Sequence, residues 1–331
     1  AFFSAKSIWL YNLMYRLANF TGFMNLASKF LYQFARAHIH QTIEGFKPEL
    51  VVVIHPLAVR PMCDYRDETS AIWPIVTVVT DLVSIHASWA SDRADHFLLP
   101  TPQAVSRLLQ LGIAKNKLQL TGFPVHPRFL APLPDRHTAR QLLGLPLNRF
   151  TVLLTSGGAG GGQVSKLVEE FERYCPECSL LVVTGRNVRL YEKLTRRIVP
   201  ECSRIYQFVD NMEVLMSACD VIVTKAGPGT IMETATLGKP LILTGAVGLQ
   251  EEGNIGFVTE ERLGVFCPDP VQAAKAATAM LLAQPLETTD SKTMPPLAGT
   301  VAIAETLLDF LSHQATSTKQ SSLGEVENAH S

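Results

Sequence analysis

The chain has 331 residues, 47% hydrophobic and 18% charged, with a formal net charge of −1. This is room for two domains with sizeable cores, and the near-neutral balance excludes a chain built as a whole around nucleic acid. No apolar run reaches the ~18 residues of a membrane-spanning helix, so none is predicted.

The charge is uneven along the chain. From Ala1 to Ile43 there are cations (Lys6, Arg16, Lys29, Arg36) but no acid, together with Phe2, Phe3, Trp9, Tyr11, Tyr15, Phe20, Phe23, Phe30, Tyr32 and Phe34. Ile8, Tyr11, Tyr15 and Ala18 recur at helical spacing, as do Leu26, Phe30 and Phe34, which predicts one or two helices up to about residue 45. An aromatic stripe of this kind faces either a core or an anionic membrane surface. Ala1-Phe2-Phe3 lacks the basic start of a signal peptide. With no initiator Met, the chain reads as trimmed or cut from a longer one.

Val51–Ile54 is a continuous apolar run that reads as a buried parallel strand, ending in His55-Pro56-Leu57. Ile75–Val79 is the next strand, followed by Thr80-Asp81-Leu82, His86 and Trp89. Phe97–Leu99 and Leu118–Thr121 are further strands, and Thr101 is placed to cap a helix over 103–111. Alternation of strand and helix predicts parallel sheets with both faces covered. Proline-rich turns at 131–135 and 145–149 flank a short helix and mark a domain boundary. The expected division is 1–140, 148–312 and a polar, Ser/Thr-rich disordered tail over 313–331.

The second domain opens on the strand Thr151–Leu154 and the most glycine-dense loop of the chain, Gly157, Gly158, Gly160, Gly161 and Gly162. Such a loop suits close approach of backbone to a ligand. It has neither the Gly-Lys-Ser/Thr of a P-loop nor a clean dinucleotide fingerprint. Leu180–Thr184 ends at Arg186, which could reach a phosphate or form a surface ion pair. Ile205–Val209 is a strand, and Met212–Ala218 a helix. Cys175-Pro-Glu-Cys178 has no second ligand pair at zinc spacing and reads as a helix-end turn with free thiols.

Val221–Asn254 organises the second half. Val221–Thr224 is a strand, and Lys225–Thr230 a glycine turn opening a helix. Leu241–Leu243 is a strand, followed by a polar loop holding Gln250, Glu251 and Asn254. Phe257–Thr259 and Gly264–Phe266 are predicted to complete the sheet, with helices over 270–282 and 301–311. The unpaired N–H groups of a helix start make the glycine turn a natural phosphate cradle, though an ordinary βαβ turn has the same glycines.

The segment Lys225 to Glu233 (KAGPGTIME), Gly238 to Leu243, and Gln250 to Asn254 resembles the donor site of monogalactosyldiacylglycerol synthases, which are MurG-like glycosyltransferases. Pro48–Leu57, Thr77–Leu82, His86 with Trp89, Gly122–Pro127 and Gly185–Asn187 are similar to other motifs of that family, in family order over about residues 45–312. The resemblance implies an α/β GT-B fold of two Rossmann-like domains with parallel sheets facing a cleft. It implies a UDP-sugar donor, with Phe208 and Val209 at the uracil and Glu233 at the ribose hydroxyls. Gly157, Gly158, Gly160, Gly161, Gly227, Gly229 and Thr230 would lie at the diphosphate, and Gln250, Glu251 and Asn254 at the hexose. The implied reaction is inverting transfer of galactose or glucose from UDP-galactose or UDP-glucose to diacylglycerol. It would take place at the cytoplasmic face of a membrane with anionic lipids, without a cofactor or metal. The family's Gly-Gly-Gly-His loop, which carries the proposed general base, is absent from the sequence. Asp81, His86 and His55 are the remaining candidates for that role. A MurG-type transfer of UDP-N-acetylglucosamine to a polyprenyl-linked acceptor, and an inactive nucleotide-sugar- or lipid-binding fragment, stay open as alternatives. Oligomeric state is not legible.

Overall fold

A computed structural model describes residues 21–155, 157, 163–196, 202–282 and 299–312. The expectations for residues 1–20, for Gly158, Gly160 and Gly161, and for the tail from 313 lie outside the described residues. The described residues form two compact units. Residues up to Asp81, Ile85–Pro124 and the last helix make one; Leu82–Ser84 and the residues from Val125 to 282 make the other.

In the first unit the elements are α1 (Thr21–Phe46), β1 (Val51–Val53), α2 (Pro56–Thr69), β2 (Ile75–Val78), β3 (His96–Leu99), α3 (Pro102–Gln110) and β4 (Leu118–Leu120). The strands pair in parallel in the order β1-β2-β3-β4. As expected, the Thr101 side chain caps α3, accepting from the Ala104 N–H at 3.1 Å. Alternate strand residues serve two cores, as a two-residue side-chain period requires. Ile75, Phe97 and Leu99 join Trp73, Trp89 and Leu108 on one face. Val76, Val78 and Leu98 meet Ile303 on the other.

Ile303 belongs to the helix over 300–312, which the sequence assigned to the C-terminal domain. That assignment is corrected, because the helix covers the first sheet. Phe310 packs on His96 with ring centroids 5.3 Å apart, and Gln119 donates to the Thr306 hydroxyl at 3.1 Å. Local sequence carries no sign of such a return, since the apolar face of a helix does not name the sheet it covers.

The second unit contains α4 (Arg136–Leu142), β5 (Thr151–Thr155), α5 (Val164–Tyr174), β6 (Ser179–Val183), α6 (Val188–Thr195), β7 (Arg204–Tyr206) and α7 (Met212–Ala218). It continues with β8 (Val221–Thr224), α8 (Pro228–Thr236), β9 (Leu241–Leu243), α9 (Gly248–Glu260), β10 (Gly264–Phe266) and α10 (Pro270–Leu282). All pairs are parallel, in the order β7-β6-β5-β8-β9-β10. The winding reverses between β5 and β8. In an open parallel sheet the loops leaving the carboxyl ends of two such strands diverge and open a crevice, where ligands bind.

Four expectations change here. Gln250–Asn254 is not a loop and Phe257–Thr259 is not a strand, since both lie in α9. Asn254, Phe257 and Val258 are buried at i, i+3 and i+4, so helical packing overrides the β preference of the Phe-Val-Thr triplet. The sulfurs of Cys175 and Cys178 are paired as a disulfide, with Cα atoms 5.5 Å apart, rather than free. The third strand, β7, stops at Tyr206, which leaves Phe208 and Val209 beyond its end.

Gly264 lets β10 dock. A Cβ there would collide with the Leu241 carbonyl oxygen and lie 2.6 Å from Leu241 Cβ, its register partner across the pair. Gly264→Ala is expected to destabilise the unit by about 1–3 kcal/mol through this overpacking, read as a lower urea midpoint.

Candidate functional site

The switch point between β5 and β8 collects most of the predicted donor residues. Gly157 follows β5 with φ +79°, a left-handed conformation that favours glycine. After β8 the chain turns at Lys225-Ala226-Gly227 and enters α8 with Pro228 in the first turn. No side chain caps that helix start. Its first N–H groups and the positive end of its dipole are therefore available to an anion.

The turn is held from outside. Ala226 N–H donates to Gly245 O at 2.7 Å, and Gly227 N–H to Lys225 O at 2.8 Å. Asn254, 2% exposed, donates from Nδ2 to Ala226 O at 2.9 Å. The resemblance put Asn254 at the hexose; the structure gives it a definite task in fixing the turn. Glu251, in the first turn of α9, accepts from Val247 N–H at 2.8 Å and pairs with Lys225 Nζ at 2.5 Å. Gly253 packs closely on Val83 and Ser84, so the stretch after Asp81 meets α9.

Lys225 opens the motif quoted above, but sequence reasoning did not single it out. A Cβ at Gly157 would sit 3.3 Å from Lys225 Cε, and one at Gly227 3.4 Å from Lys225 Nζ. The lysine stem thus lies against both glycine turns. A single Lys in a turn has no periodicity to betray it; the signal was its position immediately after a buried β-branched strand.

Glu233 lies one turn into α8, half-buried, with its pKa raised first by burial and then by Glu213. Its carboxylate makes no hydrogen bond or ion pair with the described residues. Gln250 is half-buried in the first turn of α9, while Gly229 and Thr230 line the start of α8. Beyond β6 and β7, the Arg186 guanidinium stacks over the Phe208 ring at 5.7 Å. This joins Arg186 to the residue expected at the base rather than to a phosphate. Phe208 itself is 61% exposed, so its ring face is available to a planar partner.

The three candidates for a general base differ in what they can do. His55 is exposed and caps α2, its Nδ1 accepting from Leu57 N–H at 3.3 Å. His86 is buried, and its Nδ1 accepts from Ser88 N–H at 3.1 Å. In each case the Nδ1 atom accepts a backbone N–H, which favours the tautomer with its proton on Nε2. Asp81, 6% exposed, accepts at Oδ2 from Trp89 Nε1 at 2.7 Å. Among the described residues no group of three or more His, Cys, Asp or Glu is arranged to hold a metal ion.

Residues 2–125 match the family described as Monogalactosyldiacylglycerol (MGDG) synthase, and residues 151–246 match the Glycosyltransferase family 28 C-terminal domain. Monogalactosyldiacylglycerol synthase 1, chloroplastic, of Arabidopsis thaliana is 30% identical over 251 residues, covering 73% of this chain and 47% of that protein. The chain therefore spans about half the length of the curated relatives it matches. Among solved structures, the S. aureus MnaA–UDP co-structure aligns over 85% of this chain and 79% of its own, with TM-score 0.61 and 14% identity. MurG of Acinetobacter baumannii aligns over 78% and 70%, with TM-score 0.51 and 13% identity.

Two parallel-sheet α/β domains with these neighbours define the GT-B fold. Within that class, the two family matches run in order along the sequence, and the chain belongs to the monogalactosyldiacylglycerol synthase-like, MurG-like family of glycosyltransferases.

Proposed function

We propose that this chain binds a UDP-hexose at the β5/β8 switch point and serves transfer of the hexose, galactose or glucose, to diacylglycerol. The observation that carries the reading is the topological switch point between β5 and β8. A glycine turn, a helix start without a side-chain cap and the half-buried Glu233 carboxylate stand together at the winding reversal of a glycosyltransferase-family sheet. Backbone N–H groups of Gly229 and Thr230 and the α8 dipole stabilise the diphosphate as charge builds on it. Glu233 accepts from the ribose hydroxyls, and Phe208 with Arg186 flanks the base. The acceptor hydroxyl attacks the anomeric carbon opposite the departing UDP, so configuration inverts.

Asp81 is the described group best suited to take the acceptor's proton. The outward side chains of α1 support a lipid-facing role. Tyr32 turns inward at 5% exposure, while Phe30 and Phe34 stand out at 77% and 86% near Lys29; Arg36 is paired with Glu68. Aromatic side chains beside cations suit the headgroup layer of an anionic membrane. No helix among the described residues is long and apolar enough to cross a membrane.

The test is glycolipid synthesis on vesicles containing diacylglycerol and phosphatidylglycerol. It uses radiolabelled UDP-galactose, UDP-glucose or UDP-N-acetylglucosamine, with this chain and with a form extended at its N-terminus. The expected product is a β-linked hexosyl-diacylglycerol from one of the first two donors. No such lipid from either form, with either hexose donor, would sink the reading. In an active form, Asp81→Asn is expected to reduce kcat by about 100-fold and His86→Ala by much less; the reverse order would exchange their roles.

A further inference from the structure

Glu251 and Lys225 hold each other inside the very crevice where a diphosphate is expected. The lysine stem lies between two glycine turns, its ammonium 2.5 Å from Glu251 Oε1. The other carboxylate oxygen, Oε2, is tied to Val247 N–H at the start of α9. The carboxylate is 13% exposed and the lysine side chain 32%, so this is a pair largely sheltered from water at the edge of the site. A glutamate in that place presents an anion to a cation lying against both phosphate-binding turns.

We propose that Glu251 is the anion a donor diphosphate displaces from Lys225, and that its released oxygen then accepts from a hydroxyl of the sugar. The inference rests on the UDP-hexose reading and adds to it a linked exchange between the two halves of the donor. The Lys225 ammonium passes from one oxygen anion to another, so no cation is stranded. Glu251 stays anchored by Val247 N–H, at a helix start where its charge is favourable. Only Oε1 changes partner. A nucleoside diphosphate without a sugar drives the first half of the exchange and leaves Glu251 without its new partner, so the pair favours the complete donor over UDP.

Equilibrium titration of the full chain with UDP, uridine, inorganic pyrophosphate, UDP-galactose and UDP-glucose tests this. Glu251→Gln keeps the shape and an acceptor for Val247 but removes the competing charge. It is expected to bind UDP and pyrophosphate about 5-fold tighter than wild type, and to lose the preference for UDP-hexose over UDP. Lys225→Met is expected to weaken UDP by about 30-fold while leaving uridine nearly unchanged, and Lys225→Arg to recover most of the loss. A glutamate with a merely structural role would weaken every ligand when replaced. Weaker or equal UDP binding by Glu251→Gln, or unchanged UDP binding by Lys225→Met, would overturn the exchange and leave the donor reading standing. Pyrophosphate binding with the expected variant pattern, but none with UDP, would overturn the uridine reading and keep the exchange. Should Glu251→Gln fail to fold, Glu251→Ala carries the same expected sign for UDP.

Discussion

Asp220→Ala is expected to lower the stability of the second unit by about 3–5 kcal/mol, the usual cost of stranding one partner of a buried ion pair. Asp220 stands just before β8, at the amino-terminal end of the central strands and so at the opposite end of the sheet from the glycine turns. Its Oδ2 accepts from Thr151 N–H at 2.7 Å and from Arg140 at 2.5 Å, and its Oδ1 from Arg136 at 2.8 Å. Arg140 is 3% exposed and also donates to the carbonyls of Ala218 and Leu147. Without the carboxylate, that guanidinium is left buried and uncompensated, and α4 loses its tie to β5 and β8. Asp220→Asn, which retains a carbonyl acceptor, should be milder. Urea denaturation followed by circular dichroism checks both. An alanine variant within about 0.5 kcal/mol of wild type would show that the network contributes no stability.

The second large effect concerns Glu233. Glu233→Ala is expected to weaken UDP binding by roughly 100-fold, two charge-assisted hydrogen bonds to ribose hydroxyls being lost. Stability should move the other way. Burial raises the Glu233 pKa above its ordinary 4.5, with Glu213 adding to the rise. The folded chain then holds this proton more tightly than the unfolded chain does. The group's stabilising contribution is full below the ordinary value and is lost as pH rises through the raised one. At pH 7 the ionised carboxylate is a cost to folding, so Glu233→Gln should match or exceed wild type in Tm while still binding UDP poorly. UDP affinity of the wild type should fall as pH drops through the raised pKa, because protonation removes the charged acceptor. A Glu233→Gln variant that unfolds earlier and binds UDP normally would assign the residue to the scaffold instead.

Local pattern carried much of this architecture. Val51–Val53, Ile75–Val78, Thr151–Thr155 and Val221–Thr224 are β-branched or apolar runs ended by turn residues, and each became a parallel strand. Where packing decides, the sequence was less informative. The segment from Gly248 to Glu260 includes Gly253 and Gly256, which weaken its helical signal, and its Phe-Val-Thr triplet looks like a strand. Only the buried triad of Asn254, Phe257 and Val258 makes it a helix. The donor candidates at 227–233 were visible because motif and turn chemistry coincide there. The pairing of Lys225 with Glu251 was not, because it joins a turn to a helix 26 positions away. Nor could spacing alone tell a capping histidine from a basic one, since at both His55 and His86 the difference lies in a backbone N–H that points at Nδ1.

The helix over 300–312 also sets a timetable for biosynthesis. The face of the first sheet made by Val76, Val78 and Leu98 is covered by Ile303, and Gln119 reaches Thr306 across 187 positions. A ribosome delivers those strands long before it delivers their cover. Through that interval the nascent chain carries an unshielded apolar surface while the whole second unit is being made. The first unit, though first in sequence, is among the last parts to close. A nascent chain released before the last helix emerges should therefore be a client for chaperones that hold exposed apolar sheet faces.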